Sequence, residues 1–74
     1  MTIKTLETIH RLLAKEALKK EVEYAEAIRE TAEAEAASET GDASEEIYER
    51  LGNARKEKSK VVEALREFEE HEFS

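Results

Sequence analysis

Apolar side chains in the second half of the chain recur at alternating intervals of four and three residues. This spacing is the heptad repeat of a helix that packs along one side against another helix. Lys58 is the one charge in the interior of the repeat. The pattern predicts an α-helix over about residues 43–71. The repeat consists of Ile47, Leu51, Ala54, Lys58, Val61, Leu65, Phe68 and Glu72.

The first half of the chain carries a broader apolar stripe. At 100° per residue its members stay on one side of a helix, which predicts a helix over about residues 3–38 that begins after Thr2 or Thr5. Glu21 falls inside the stripe, and Leu12 falls on the opposite face. The stripe consists of Ile3, Leu6, Ile9, His10, Leu13, Ala17, Tyr24, Ile28 and Ala32, and Ala14, Leu18 and Ala25 broaden it.

A short turn at residues 39–42 separates the two predicted helices. Gly41 suits the left-handed position that follows the end of a helix, because glycine has no Cβ to clash there. Asp42 and Glu45 have the spacing of a capping box at the start of the second helix. A short loop with a glycine favours an antiparallel hairpin over one continuous rod. The predicted fold is therefore all-α, a coiled-coil-like antiparallel two-helix hairpin that forms a single domain over residues 1–74.

The charge pattern is independent support for the hairpin. The net charge is −7, distributed as +3 over residues 1–20, −10 over 21–49, +4 over 50–60 and −4 over 61–74. Folding about Gly41 brings blocks of opposite charge together. It also brings Glu21 near Lys58, which we expect to form a buried polar pair that fixes the register. Two chains that exchange helices satisfy the same pairs, so the pattern fits both a hairpin dimer and a domain-swapped dimer.

One hairpin covers only one side of each helix. A chain of 74 residues buries a limited fraction of its surface, and contiguous apolar residues left outside the core mark an interface. We therefore expect a homodimer, in which two hairpins form a four-helix bundle about a two-fold axis. The expected interface residues are Ile9, Leu12, Leu13, Val22, Tyr48, Val62, Phe68 and Phe73.

Catalytic and cofactor chemistry finds little support in the composition. Cysteine is absent and only two histidines are present, so a thiolate metal site is excluded and no nucleophile–histidine arrangement is credible. Glu7 and His10 have the Glu-x-x-His spacing of di-metal carboxylate bundles, with Glu72 expected nearby. We expect His10 to pair with a carboxylate at the chain end instead, and we predict a non-enzymatic protein without a cofactor, with the di-metal bundle as a remote alternative.

The acidic balance also bears on partners. A net charge of −7 and the absence of aromatic residues among the basic ones argue against nucleic-acid binding, and no apolar run is long enough for a membrane span. We expect a cytoplasmic protein with a structural or protein–protein interaction role. The alternative is an acidic inhibitor or adaptor, antitoxin-like or a nucleic-acid mimic, whose negative turn region docks on a basic protein.

Both ends of the chain resemble small uncharacterised helical proteins encoded in bacterial prophages. The segments concerned are Thr5–Leu13 (TLETIHRLL) and Ala64–Phe73 (ALREFEEHEF). The resemblance implies a bacterial or phage cytoplasmic setting and an accessory or structural role. It assigns a function to no individual residue.

Overall fold

Two long helices make up most of the residues that the computed structural model describes, residues 2–72. Helix α1 spans Ile3–Ala37 and helix α2 spans Glu45–Glu72. They pack against each other in opposite directions along a rod whose Cα atoms extend over 57 × 17 × 14 Å. The predicted all-α helical hairpin is confirmed, and both helices end within two residues of their expected bounds.

Helix α1 is capped at both ends by short polar side chains and backbone groups. The hydroxyl of Thr2 accepts a hydrogen bond from the backbone N–H of Thr5 at 3.2 Å, which satisfies one of the free N–H groups of the first turn. At the other end Ser38 leaves the helical conformation, and its N–H donates to the carbonyl of Glu35 at 3.3 Å. The helix therefore ends one residue earlier than predicted.

The turn differs from the prediction in its detail. Gly41 does adopt a left-handed backbone, with φ of +81°, but it lies three residues beyond Ser38 instead of directly after the helix end. The Ser38 hydroxyl accepts the N–H of Thr40 at 3.3 Å, and the Ser38 carbonyl accepts the N–H of Gly41 at 3.3 Å. These two bonds form a separate turn after the helix, and Gly41 closes that turn.

The predicted capping box at Asp42 and Glu45 is wrong, because α2 begins at Glu45 and Ser44 caps it. The Ser44 hydroxyl accepts the N–H of Ile47 at 3.4 Å. The residue before it is held out of the helix by a distant side chain, since the N–H of Ala43 donates to the phenol oxygen of Tyr48 at 3.1 Å. A helix that started at Asp42 would lose that bond.

Tyr48 fastens the turn to both helices. Its hydroxyl accepts from Ala43 and donates to Oε2 of Glu35 at 2.7 Å. The bond from Ala43 lowers the pKa of Tyr48, whereas the hydrogen bond to Glu35, loss of solvent and the charges of Glu35 and Asp42 raise it, and the net pKa lies above its usual 10.0. The neutral phenol is therefore the form that the folded turn favours.

The contact between the helices follows a strict heptad on both sides. On α2 the inward positions are the predicted ones, from Ile47 to Phe68, all of them half-buried. On α1 the buried and half-buried positions along the same line are Leu6, His10, Leu13, Ala17, Lys20, Tyr24, Ala27, Thr31, Ala34 and Ser38. We call these two lines the seam.

The predicted α1 stripe is correct from Leu6 to Tyr24, apart from Glu21, and wrong beyond Tyr24. Ile28 is 46% exposed and Ala32 is exposed, and Ala27 and Thr31 take their places in the seam. A repeat of 3.5 residues drifts by about 20° per heptad from a helix of 3.6 residues per turn, so pairing with the strict heptad of α2 selects the neighbouring residues. Thr31 is buried without loss because its hydroxyl donates to the Ala27 carbonyl at 2.7 Å.

The outer members of the stripe also lie outside the seam. Ile3 and Leu18 are 74% and 62% exposed, and Ala25 is exposed. Among residues 2–72 the only buried side chains are Ala17 and Thr31, with 6% and 5% of their surface exposed. The hairpin is therefore a long, narrow contact in which large apolar side chains keep part of their surface in solvent.

Replacing Gly41 with Ala tests the turn. A Cβ at φ of +81° is unfavourable although nothing lies within 4 Å of it, so we expect a loss of about 1–2 kcal/mol in the free energy of unfolding. Urea denaturation followed by circular dichroism at 222 nm, at one protein concentration, measures it. Gly41→Asn is the matched control and should lose less, because asparagine tolerates the left-handed region. Equal stability of wild type and Gly41→Ala would contradict the turn.

Candidate interaction surface

The hairpin has two broad faces, one on each side of the seam. Cross-helix bonds identify which flanks share a face. Glu35 of α1 bonds Tyr48 of α2 on one side. On the other, Oε1 of Glu30 lies 2.8 Å from Nη2 of Arg50. Stepping along each helix by heptads from these two contacts assigns the exposed residues to the two faces.

The face that carries Tyr48 is mostly apolar, and we call it the apolar face. Between residues 14 and 32 it presents one charge on α1, Glu21, and between residues 48 and 62 it presents one charge on α2, Arg55. Leu18 is 62% exposed, Ile28 46% and Tyr48 38%. The apolar face consists of Ala14, Leu18, Glu21, Ala25, Ile28 and Ala32 from α1 and Tyr48, Gly52, Arg55, Ser59 and Val62 from α2.

The face that carries Arg50 is built of charged and polar side chains, and we call it the charged face. Its ion pairs join the two helices, as at Arg50 and Glu30, and lie along α1, where Nζ of Lys20 is 3.3 Å from Oε2 of Glu23. It consists of Glu16, Lys19, Glu23, Glu26, Glu30 and Glu33 from α1 and Glu46, Arg50, Asn53, Glu57 and Lys60 from α2. The middle of the hairpin is thus amphipathic across its thickness, in addition to the apolar line that each helix presents to the seam.

The predicted interface residues do not form one surface. Tyr48 and Val62 lie on the apolar face, whereas Val22, 50% exposed, lies on the outer side of α1, opposite the seam. Ile9 and Leu12 flank the charged side of the seam.

The remaining predicted interface positions lie elsewhere. Leu13 and Phe68 are half-buried within the seam, where the Phe68 ring stacks on the imidazole of His10 with centroids 6.2 Å apart. Phe73 is outside the described residues. Leu18, Ala25, Ile28 and Ala32, which the prediction gave to the seam, are the larger part of the apolar face.

The expected pair of Glu21 with Lys58 is replaced by two other contacts. Glu21 is exposed on the apolar face, and the Lys58 ammonium lies 4.9 Å from the centroid of the Tyr24 ring, a cation–π contact. The cross-helix ion pair is made by Lys20, whose Nζ is 3.2 Å from Oε2 of Glu57. The physical reason is the rotation of α1 about its own axis. This rotation places Lys20 in the seam, so the next residue, Glu21, points away from it.

The charge of Lys20 is held by several carboxylates. The hydrogen bond to Glu57 raises the pKa of Lys20 above 10.5, the bond to Glu23 raises it further, and desolvation opposes both. Glu16 approaches the same ammonium at 4.0 Å. Lys20 can therefore occupy a seam position, because its apolar stem packs between the helices while its ammonium group is surrounded by carboxylates.

At the open end of the hairpin, His10 meets Glu69 rather than Glu72. Nε2 of His10 lies 2.9 Å from Oε2 of Glu69, beside a shallow cavity that Glu7 and Arg11 also line. Over residues 2–72 no three histidine or acidic side chains are placed to hold a metal ion together. The residues predicted as remote metal ligands, Glu7, His10 and Glu72, are therefore not gathered into one site.

Neither described helix has a stretch apolar enough to span a lipid bilayer. No protein-family model matched the chain, and neither the curated proteins nor the solved structures contained a match. The fold and its surfaces are thus the observations that bear on function.

The pH dependence of the Lys20 contact is testable. Because the folded pKa is raised, protonated Lys20 stabilises the hairpin fully below pH 10.5 and this stabilisation is lost as the pH rises through the folded pKa. Urea unfolding of wild type and Lys20→Gln between pH 8 and 12 should show a stability difference that is constant at the lower pH values and shrinks at the upper ones. The tyrosines titrate in both proteins and cancel in the difference. A difference that does not change with pH would contradict the ion pairs.

Proposed function

We propose that this protein is a non-enzymatic helical hairpin that associates with a second copy of itself into a four-helix bundle and serves a structural or protein–protein interaction role. The observation that carries the proposal is the apolar face, along which Leu18, Ile28 and Tyr48 are exposed on a molecule with two buried side chains in its described part. Exposed apolar surface of this kind is typical of an interaction site.

The narrow seam supports self-association. In a two-helix hairpin each helix has one neighbour, so a side chain in the seam is covered from one direction only. In a four-helix bundle each helix has two neighbours, and positions on the flank of the seam become part of a central core. The apolar flanking residues that would enter such a core are Ala14 and Ile28 from α1 and Val62 from α2.

The polar side chains support a role without chemistry of their own. His10 is paired with Glu69, Lys20 with Glu57 and its neighbours, and Tyr48 with Glu35 and Ala43. The contacts of His10 with Glu69, of Lys20 with Glu57 and of Tyr48 with Glu35 join the two helices. They act in holding the fold, and the resemblance to prophage-encoded helical proteins supports an accessory or structural role in a bacterial or phage setting.

The mass in solution tests the proposal. Sedimentation equilibrium or light scattering coupled to size exclusion should give twice the 8.5 kDa of the chain. The midpoint of thermal unfolding should rise with protein concentration, because association stabilises the folded chains by mass action. A single 8.5 kDa species at the highest concentration, with a midpoint independent of concentration, would overturn the proposal.

A further inference from the structure

We infer that the apolar face is the surface through which two copies meet, and that the two hairpins lie antiparallel, with the turn of each beside the helix ends of the other. The inference rests on the proposed self-association and specifies its surface and orientation. It follows from the composition of the two faces, from Gly52 and from the placement of charge.

The two faces differ along the whole middle of α1. From residue 14 to 32 five of the six apolar-face positions are apolar, whereas the six matching positions of the charged face, from residue 16 to 33, all carry a charge. Burying the charged face against a like face would desolvate these charges, so the apolar face is the one that self-association favours. The apolar stretch, residues 14–32 of α1, is about 27 Å long at 1.5 Å per residue, so it would form the middle of a contact that runs along the 57 Å rod.

Gly52 lacks an explanation within the hairpin. Glycine inside a helix is unfavourable relative to alanine, and a Cβ at Gly52 would meet nothing within 4 Å. Gly52 and Ser59 lie one heptad apart on the apolar face, and they line one shallow depression together with Arg55, Lys56 and Lys60. Small side chains at this spacing allow the backbone of another helix to approach closely, so a partner on this face explains a glycine that the lone hairpin does not.

The orientation follows from the two charges on the apolar face. The bond between Glu35 and Tyr48 sets the register of the two helices. One heptad further from the turn, Ile28 lies across from Arg55. Two heptads further, Glu21 lies across from Val62. A two-fold axis between these levels, at Ala25 and Ser59, brings Glu21 of each copy to the level of Arg55 of the other. A parallel arrangement sets Glu21 level with Glu21 and Arg55 level with Arg55, which like-charge repulsion disfavours.

The charges beyond this face favour the same orientation. Residues 30–49, the turn end of the hairpin, contain eight acidic residues and no Lys or Arg. A parallel dimer would place two such ends side by side. An antiparallel dimer separates them by the length of the rod and sets each beside the open end, where residues 1–20 carry a net charge of +3 and residues 61–74 one of −4.

Two leucines provide a matched test of the surface. Leu18 and Leu12 are both on α1 and both 62% exposed, but Leu18 is on the apolar face and Leu12 on the charged side. Leu18→Lys should weaken dimerisation by at least about tenfold in Kd, because it places a charge within the contact, whereas Leu12→Lys should change it by less than about threefold. Sedimentation equilibrium over a range of concentrations measures both.

The outcomes separate the surface from self-association itself. A wild-type dimer that Leu18→Lys leaves intact, or that Leu12→Lys disrupts equally, overturns the assignment of the face while the dimer stands. A wild-type chain that is monomeric overturns both. Unchanged circular dichroism of each variant shows that the helices are still formed, since lysine and leucine have similar helix propensities.

Single cysteines test the orientation, because the natural chain contains no cysteine and each variant then has one thiol. Ala25→Cys lies at the proposed axis and should form a disulfide-linked homodimer with oxidised glutathione, whereas Ala32→Cys alone should not, and a mixture of Ala32→Cys with Leu18→Cys should. A parallel dimer would instead cross-link Ala25→Cys with Ser59→Cys and neither one with itself. That second pattern on a non-reducing gel would overturn the antiparallel orientation.

Discussion

The strict heptad of α2 is the constraint from which the rest of the structure follows. Its inward residues recur at steps of four and three from Ile47 to Phe68. They therefore form a continuous line along the side of α2 that faces α1. Helix α1 must present a line of the same period, whichever residues happen to occupy it. Many of the α1 residues on that line are small, polar or cationic, and larger apolar residues of α1 such as Leu18 and Ile28 lie outside the seam.

The polar residues of the seam set the alignment of the two helices. Lys20 and Lys58 occupy positions where apolar residues are usual, and each has found a partner across the seam, Glu57 in the first case and the Tyr24 ring in the second. Sliding one helix by a heptad would part both lysines from these partners. Together with the bond of Tyr48 to Glu35 near the turn and that of His10 to Glu69 near the open end, they align the hairpin over its whole length.

Sequence patterns gave different amounts of information about the two helices. Helix α2 could be predicted residue by residue because its apolar side chains obey one repeat. Helix α1 carries two overlapping lines of apolar residues. By sequence alone Ile28 and Ala32 are better core candidates than Ala27 and Thr31, and only packing against α2 distinguishes the two pairs. The bond that sets the start of α2 joins Ala43 to Tyr48 through a side chain, and no local rule for helix caps contains it. The predicted interface mixed both faces because a face belongs to the pair of helices and depends on their register.

The two lines on α1 have a consequence for an isolated hairpin. Turning α1 about its own axis by one residue would bring Leu18, Ile28 and Ala32 towards α2 and would expel Lys20, Ala27 and Thr31, so a second packing lies one rotational step away. Lys20 in its ring of carboxylates and the buried Thr31 hydroxyl oppose that rotation. A partner that covered the apolar face would bury Leu18, Ile28 and Ala32 in place. The rotation would then bury no additional apolar surface. Association through the proposed face would therefore also select the rotational state of α1, as the second neighbour does for a helix in a larger core.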